Sequence, residues 1–485
     1  MSPLAGALYR PEQVRELDRR AIEDHGIPGY TLMQRAGDAV FRALRAQQPE
    51  ARRVLVCCGG GNNGGDGYVV ARLVAAAGLQ VTVLALSARE SLRGDAARAA
   101  ADWQGPAQLD AEPADFDVIV DALFGTGLDR EVRDPYAGLI RRINAARRPV
   151  FAVDVPSGLN AASGQAMGVA VVADCTVSFI GRKRGLATGQ AAAHCGRVLF
   201  DDLDVPAAVY AGVDADAQLL DAADLPEWLP PRRADLHKGA LGHVLVIGSD
   251  HDYPGACLLT ARAALRAGSG LVSVATRADH AIGLAGACPE AMWANGEHEQ
   301  RLAELLARAD VIALGPGLGH SDWSRAVWKR ALATDRPVVL DADGLNRLAE
   351  APDARGHWVL TPHPGEAARL LSTTVPEIQR DRFASVRELA RRFDAVVVLK
   401  GAGSLIADPG GRCAVCTDGN PAMATAGMGD ALTGIIASLL GQGLDAFEAA
   451  AAGVLLHARA GDQAARGRRT LLTGDLIDAL PAVLP

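Results

Sequence analysis

The sequence predicts an α/β protein built as two three-layer domains around largely parallel sheets. Short apolar β-rich runs alternate with Ala-rich helical stretches in each half, the pattern of strands buried on both faces. The length of 485 residues exceeds one ordinary core. The segment Asp221–Arg233, rich in Pro and charge, separates the two series of runs and places the boundary between Val205 and Arg233.

In the first series, Val54–Val56, Val81–Leu86, Val118–Asp121 and Val150–Val153 read as strands, and Tyr68–Ala77 and Tyr136–Ala146 as helices. Val14, Leu17 and Ile22, then Leu32, Met33, Ala36 and Val40, fit one or two amphipathic helices between Pro11 and about Arg45. The second series runs through Val244–Ile247, Leu271–Ala275, Val311–Leu314, Val338–Asp341, Trp358–Thr361 and Val396–Lys400. Each run ends near a Gly, Asp, Thr or Lys, and open α/β sheets bind ligands at those carboxyl ends.

Composition narrows the function. Hydrophobic residues make up 49% and aromatics 4%, which suits an Ala/Val/Leu core. A formal net charge of -8 argues against a nucleic-acid partner. No apolar run is long enough to span a membrane, and Met1–Arg10 lacks a basic region followed by an apolar one. The eight cysteines form no paired zinc pattern. Cys413 and Cys416 give a single CxxC, with Cys57, Cys58, His194 and Cys195 far away in sequence, so reduced thiols and a cytoplasmic location are expected.

Gly59-Gly-Gly-Asn-Asn-Gly-Gly-Asp-Gly67 follows the first strand and is expected to be a loop before the helix at Tyr68. It holds Gly59-x-Gly61-x-x-Gly64, a dinucleotide fingerprint in letters. The next strand, however, ends in Ser87-Ala-Arg89, without the acidic residue a dehydrogenase needs for the ribose. Asn62, Asn63 and Asp66 add amide and carboxylate oxygens, so one loop can serve a phosphate and a hard cation; a helix start with polar caps explains the same residues. Asp121 before Gly125-Thr126-Gly127, and Asp154 before Pro156-Ser157-Gly158, stand at two further strand ends that would share the crevice. Each Asp alone could equally be a cap or turn anchor. Lys183, in Phe179–Gly185, either adds positive charge to the crevice or belongs to a solvated basic loop.

The most informative stretch is Gly419–Asp430, where small residues and glycines run into Asp430 and a helical pattern follows to Leu440. Convergent N–H groups and a helix start suit a phosphate. A carboxylate beside that cradle can take the proton of an attacking hydroxyl. His237–Gly242, Gly248–Ala256, Gly315–Gly319, Leu360–Glu366 and Leu399–Ser404 accompany it at other strand ends. No Gly-x4-Gly-Lys-Ser/Thr occurs, so this is not a Walker A loop. Simpler roles exist: His363 as a turn residue between prolines, Lys400 snorkelling from a strand end, Gly315–Gly319 as a turn, Asp341 and Asp343 as helix caps. His457 and Asp462 read as braces outside the site.

In the first half, Asn62-Asn-Gly-Gly-Asp-Gly67, Asp121–Gly127 and Asp154–Gly158 resemble the motifs of the YjeF N-terminal NAD(P)H-hydrate epimerase domain. In the second, Asp341-Ala-Asp-Gly-Leu-Asn346, Thr361-Pro-His-Pro-Gly-Glu366 and Ala426-Gly-Met-Gly-Asp430 resemble the ADP/ATP-dependent NAD(P)H-hydrate dehydratases. Those dehydratases are part of the ribokinase-like superfamily. Over nearly its whole length the chain is similar to the bifunctional bacterial NAD(P)H-hydrate repair enzymes. The resemblance implies two Rossmann-like three-layer domains, the second ribokinase-like, with an epimerase over 1–215 and a dehydratase over 225–485.

The resemblance also implies residue roles. Asn62, Asn63, Gly64, Gly65 and Asp66, with Gly125, Thr126, Gly127, Leu128, Asp129, Arg130 and Glu131, would contact the hydrated nucleotide. Asp154 would face the reacting ring, and Asn63, Asp121 and Ser157 would hold K+. In the second half Ala256, Gly317, His363 and Asp430 would contact the substrate, and Lys400, Gly401, Ala402, Gly403, Ser404 and Gly429 the adenosine nucleotide. Asp154 and Asp430 are the expected catalytic residues, Mg2+ the expected phosphate-bridging ion, and ADP is favoured over ATP. A homo-oligomer is expected, the apolar N-terminal helices packing on their own domain or on a neighbour. The competing expectation is a ribokinase-like small-molecule kinase fused to a non-catalytic nucleotide-binding module.

Overall fold

A computed structural model describes residues 6–485. The first residues of Met1–Arg10, read above as lacking a leader, lie outside that range. The chain divides into two compact units, Met1–Gln218 and Leu219–Pro485. No helix among the described residues is long and apolar enough to cross a membrane.

The first unit holds a seven-stranded sheet in the order Ala107–Gln108, Gln80–Ala85, Arg53–Cys58, Val118–Ala122, Val150–Val153, Cys175–Phe179, Arg197–Asp201. Every neighbouring pair is parallel. Residues alternate between two cores, as the pleat requires. Val54, Val56 and Phe151 pack with Leu17, Val40, Leu44 and Tyr68 on one face. Leu55, Ile119 and Ala152 pack with Leu139, Ile140 and Ile143 on the other. The N-terminal amphipathic pattern becomes two helices, Pro11–Arg19 and Gly29–Gln47, joined through a π-turn at Arg20–Asp24. The order of the sheet reverses beside Arg53–Cys58, so a crevice is expected where its end meets that of Val118–Ala122.

The helix after Arg53–Cys58 corrects the reading of the glycine-rich stretch. It spans Asn62–Ala76, so Asn62–Asp66 are its first turns rather than a loop before Tyr68. The glycines serve close approach. A Cβ on Gly64 would drive into the Gly59 carbonyl, and one on Gly65 would lie 2.7 Å from Met33 Cε.

The sheet of the second unit runs Met292–Asn295, Leu271–Thr276, His243–Ile247, Val311–Leu314, Val338–Leu340, Trp358–Leu360, Val396–Leu399, Ser404–Ala407, Cys413–Cys416. The first seven strands are parallel and the last two antiparallel. Val244, Val246, Val339, Val359 and Val398 pack beneath Pro254–Arg266, Met428–Gly441 and Ala446–Ala464 through Ala261, Ala264, Ile435, Ile436, Leu455 and Leu456. The expected helix over Ala431–Leu440 thus begins at Met428, with Gly427 as its N-cap at φ 89°, a left-handed conformation that glycine adopts freely.

Candidate active sites

In the first unit a cavity of about 940 Å³ opens at the switch point. Asn62, Asn63 and Asp66 line it from the first turns of their helix, Gly125 to Arg130 from the loop after Val118–Ala122, and Asp154 from the next strand end. Gly64, Gly65 and Glu131 do not line it. The first two are packed under the wall, and Glu131 is exposed. Asn63 Nδ2 is buried without a hydrogen-bond partner among the described residues, an amide left for a ligand.

Asp121 and Ser157 join the two strand ends beneath the cavity. Ser157 N donates to Asp121 Oδ2 at 2.7 Å, and Ser157 Oγ to Oδ1 at 2.6 Å. Phe124 N donates to Ser157 Oγ at 2.8 Å. Asp121 is fully buried and paired with no cation among the described residues; burial raises its carboxyl to about 6, partly opposed by the Ser157 hydrogen bonds. A buried carboxylate without a counter-charge is costly, so the pair suits a bound cation.

Asp154 sits at φ 66°, which turns its side chain out of the strand direction and into the cavity. Its Oδ1 pairs with Lys183 Nζ and accepts from Phe179 N at 3.3 Å. Lys183 also donates to the Phe179 carbonyl at 2.9 Å, and its side chain is 1% exposed. The solvated-loop reading of Lys183 is therefore wrong: it is the buried counter-ion of Asp154. Asp18, on Pro11–Arg19, lines the same cavity, and no motif had marked it. The sequence signal was an acid adjoining the buried stripe of Val14, Leu17 and Ala21.

In the second unit the polar strand ends converge on Asp341. Its Oδ1 lies 2.6 Å from Lys400 Nζ, and its Oδ2 accepts from Thr433 Oγ1 at 3.0 Å. Glu366 Oε2 is 3.8 Å from the same ammonium. Asp341 is thus an ion-pair partner rather than the helix cap considered above, and Lys400 turns inward instead of snorkelling. The helix start expected to cradle an anion is adjacent, since a Cβ built on Gly429 would lie 3.1 Å from Asp341 Oδ2 and 3.2 Å from Lys400 Nζ. Asp430 is half-buried in the first turn of its helix. Burial, reinforced by Asp341 and opposed by Lys400, raises its carboxyl to about 7. Burial likewise moves Glu366 up to about 7, against Lys400. Thr425 Oγ1 beside the cradle is buried without a partner among the described residues.

Other expected residues fall around this centre. Gly317, at φ 59°, packs on Ala256: a Cβ there would be 3.1 Å from that of Ala256. Asp343 Oδ2 fixes the Gly315–Gly319 loop by accepting from Gly319 N at 2.8 Å. His363 is an N-cap. Its Nδ1 accepts from Gly365 N at 2.9 Å, and Glu366 Oε2 accepts from His363 N at 2.8 Å. Arg382, missed in the sequence, is buried and donates to the carbonyls of Leu399, Lys400 and Gly403, which holds the Lys400–Ser404 turn. His457 faces the Met428 carbonyl at 3.0 Å, and Asp462 accepts from Gly419 N at 2.9 Å, bracing the cradle from behind.

Two doubly wound units, each gathering carboxylates around a lysine at the carboxyl ends of its strands, define a two-site α/β enzyme. Residues 29–185 match the family model described as YjeF-related protein N-terminus, and residues 244–482 match that described as NAD(P)H-hydrate dehydratase. The chain is 49% identical to the bifunctional NAD(P)H-hydrate repair enzyme of Coxiella burnetii over 98% of each chain. It is 43% identical to the enzyme of that name from Escherichia coli, over 98% of this chain and 94% of the other. Among solved structures it is similar to an ADP/ATP-dependent NAD(P)H-hydrate dehydratase from Bacillus subtilis co-crystallised with ATP/Mg2+. That match has a TM-score of 0.50 at 33% identity and covers 55% of this chain and 96% of the other. The chain belongs to the family of bifunctional NAD(P)H-hydrate repair enzymes, with an epimerase and a dehydratase domain. A match over both halves disfavours the fused small-molecule kinase.

Proposed function

We propose that the first unit interconverts the R and S hydrates of NADH and NADPH, and that the second consumes the S hydrate with ADP, or ATP, to restore the reduced nucleotide. The observation that carries this reading is Asp430, half-buried, raised to about 7 and set beside the Gly427–Gly429 helix start. Hydroxide is a poor leaving group, whereas a phosphate ester leaves readily. Asp430 accepts the proton of the substrate hydroxyl as its oxygen attacks the terminal phosphorus of the nucleotide. N–H groups around Gly427–Gly429 stabilise the charge on the transferring group, each such donor contributing roughly 3 kcal/mol. The ring nitrogen then expels phosphate to leave an iminium, and the adjacent ring carbon gives up its proton to the departing phosphate, which restores the ring double bond. Lys400 to Ser404, held by Arg382, and Gly429 face the adenosine nucleotide, and the unpartnered Thr425 hydroxyl suits a phosphate oxygen. Ala256, Gly317 and His363 face the hydrated ring. Asp341 and Glu366, which share Lys400, would offer carboxylate oxygens to Mg2+, which would supply charge neutralisation on the phosphates.

In the first unit Asn62, Asn63, Asp66 and the Gly125–Arg130 loop grip the substrate, and Asp154, held in place by its ion pair with Lys183, handles a proton at the hydrated carbon. Asp121, Ser157 and the side-chain carbonyl oxygen of Asn63 would hold K+, which would supply the counter-charge Asp121 lacks. The eight cysteines are all free and buried, which suits a reducing cytoplasm. A homo-oligomer remains part of this proposal.

Pure R hydrate supplied with ADP tests the pairing of activities. Full return of reduced-nucleotide absorbance, beyond the uncatalysed rate, is expected. Recovery from S hydrate alone would remove the epimerase assignment.

A further inference from the structure

Epimerisation at one carbon, with the ring held in one orientation, makes a demand that a single fixed acid cannot meet. Departure of the hydroxyl from one face needs a proton delivered to that oxygen. Return of water to the opposite face needs a proton removed there. Asp154 is fixed by Lys183 and Phe179 and lies at one strand end. A second proton-transfer group has to come from another element lining the cavity.

Two carboxyls qualify by position, Asp66 on Asn62–Ala76 and Asp18 on Pro11–Arg19. Neither makes a hydrogen bond or ion pair to its carboxyl among the described residues, although both are at least half-buried. One buried ammonium, Lys183, therefore faces three carboxyl groups, and Asp154 already holds it. Burial, with Asp154 and Asp18 nearby and Lys183 opposing, pushes Asp66 well above the ordinary carboxylate range, and the Asn62–Asp66 motif already commits it to the substrate. Asp18 feels the same burial, eased by Lys183 and reinforced by Asp154, and is raised to about 6, where both protonation states are populated. Arg15 on its own helix shares the cavity with Asp95, Asp129, Arg130 and Tyr136, and the Tyr210 hydroxyl, which interacts with Asp18, donates to the Ile180 carbonyl at 2.8 Å.

We propose that Asp18 is the second proton-transfer residue of the epimerase cleft, serving the ring face opposite Asp154. This rests on the epimerase reading of the first unit. The Asp18 carboxyl gives its proton to the departing hydroxyl oxygen, and the carbon–oxygen bond breaks to release water. The lone pair of the ring nitrogen fills the vacancy as an iminium. Water then bonds the carbon from the other face, loses its proton to the Asp154 carboxylate, and the iminium electron pair returns to nitrogen. Solvent at the cavity mouth resets the two carboxyls, and the S-to-R direction runs the same steps backwards.

The test is the pH profile of R-to-S conversion in the full chain, with the uncatalysed rate subtracted. Wild-type kcat/KM is expected to fall as pH rises through about 6, because the donating form of Asp18 is lost. Asp18→Asn is expected to lower kcat by about 10²-fold and to abolish that decline. Asp18→Glu, which keeps the carboxyl, is expected to retain the decline, also covering the case in which Asp18→Asn fails to fold. Asp18→Asn activity within about twofold of wild type, or an unchanged decline at lower rate, overturns the proposal, as does Asp18→Glu without the decline. A wild-type chain that does not epimerise at all overturns the reading of the whole unit instead.

Discussion

Asp430→Asn is expected to slow dehydration of the S hydrate by about 10²–10⁴-fold, the usual contribution of a positioned general base, while R-to-S conversion continues at the wild-type rate. The substitution keeps shape and removes the proton acceptor. Wild-type kcat/KM for dehydration should carry the same group's titration. Burial raises the Asp430 carboxyl, so the ionised, active form is lost as pH falls through about 7. Below that point kcat/KM should drop about tenfold per pH unit, and above it level off. Asp430→Asn should be low and flat across the same range. Steady-state assays from pH 5 to 9 give both results, and a variant that dehydrates at the wild-type rate contradicts the assignment.

The other large effect belongs to Asp154. Asp154→Asn is expected to slow epimerisation by about 10²–10⁴-fold and to leave dehydration of pure S hydrate intact. Asp154 pairs with a lysine that is 1% exposed, so the variant also leaves that ammonium without its carboxylate. Breaking a buried ion pair destabilises, and the melting behaviour of the variant should therefore be measured beside its rate. R-to-S interconversion at wild-type speed would make the first unit a non-catalytic nucleotide-binding module. Loss of both activities together would contradict separate sites.

Much of the architecture was legible because its strands are fully buried. Val150–Val153 and Val311–Leu314 are unbroken apolar runs bounded by turn residues, and Val118–Ala122 is broken only by Asp121 near its end. Cys175–Phe179, with Thr and Ser inside it, and the half-exposed edge strand Arg197–Asp201 carry no such pattern and were missed. The antiparallel pair Ser404–Ala407 and Cys413–Cys416 is short and hidden behind the Lys400–Ser404 motif. The glycines before Asp66 read as a loop because sequence cannot distinguish a glycine that turns the chain from one that lets helix and strand touch.

The sites were legible where motif residues sit at strand ends, as Asp121 and Asp154 do, or at a glycine-led helix start, as Asp430 does. Their partners were not. Asp341 and Lys400 are 59 residues apart, and only the sheet order brings their side chains to 2.6 Å. Asp154 and Lys183 meet through two strands and a left-handed backbone turn. Asp18 arrives from a helix whose sequence shows only amphipathicity.

The central claim is that the substrate hydroxyl becomes a phosphate ester before it leaves. Labelling that hydroxyl with ¹⁸O and supplying S hydrate and ADP decides it directly. The account predicts that the released inorganic phosphate carries the label, one labelled oxygen for each reduced nucleotide restored. Reduced nucleotide regained with unlabelled phosphate, and the label in water, would contradict it.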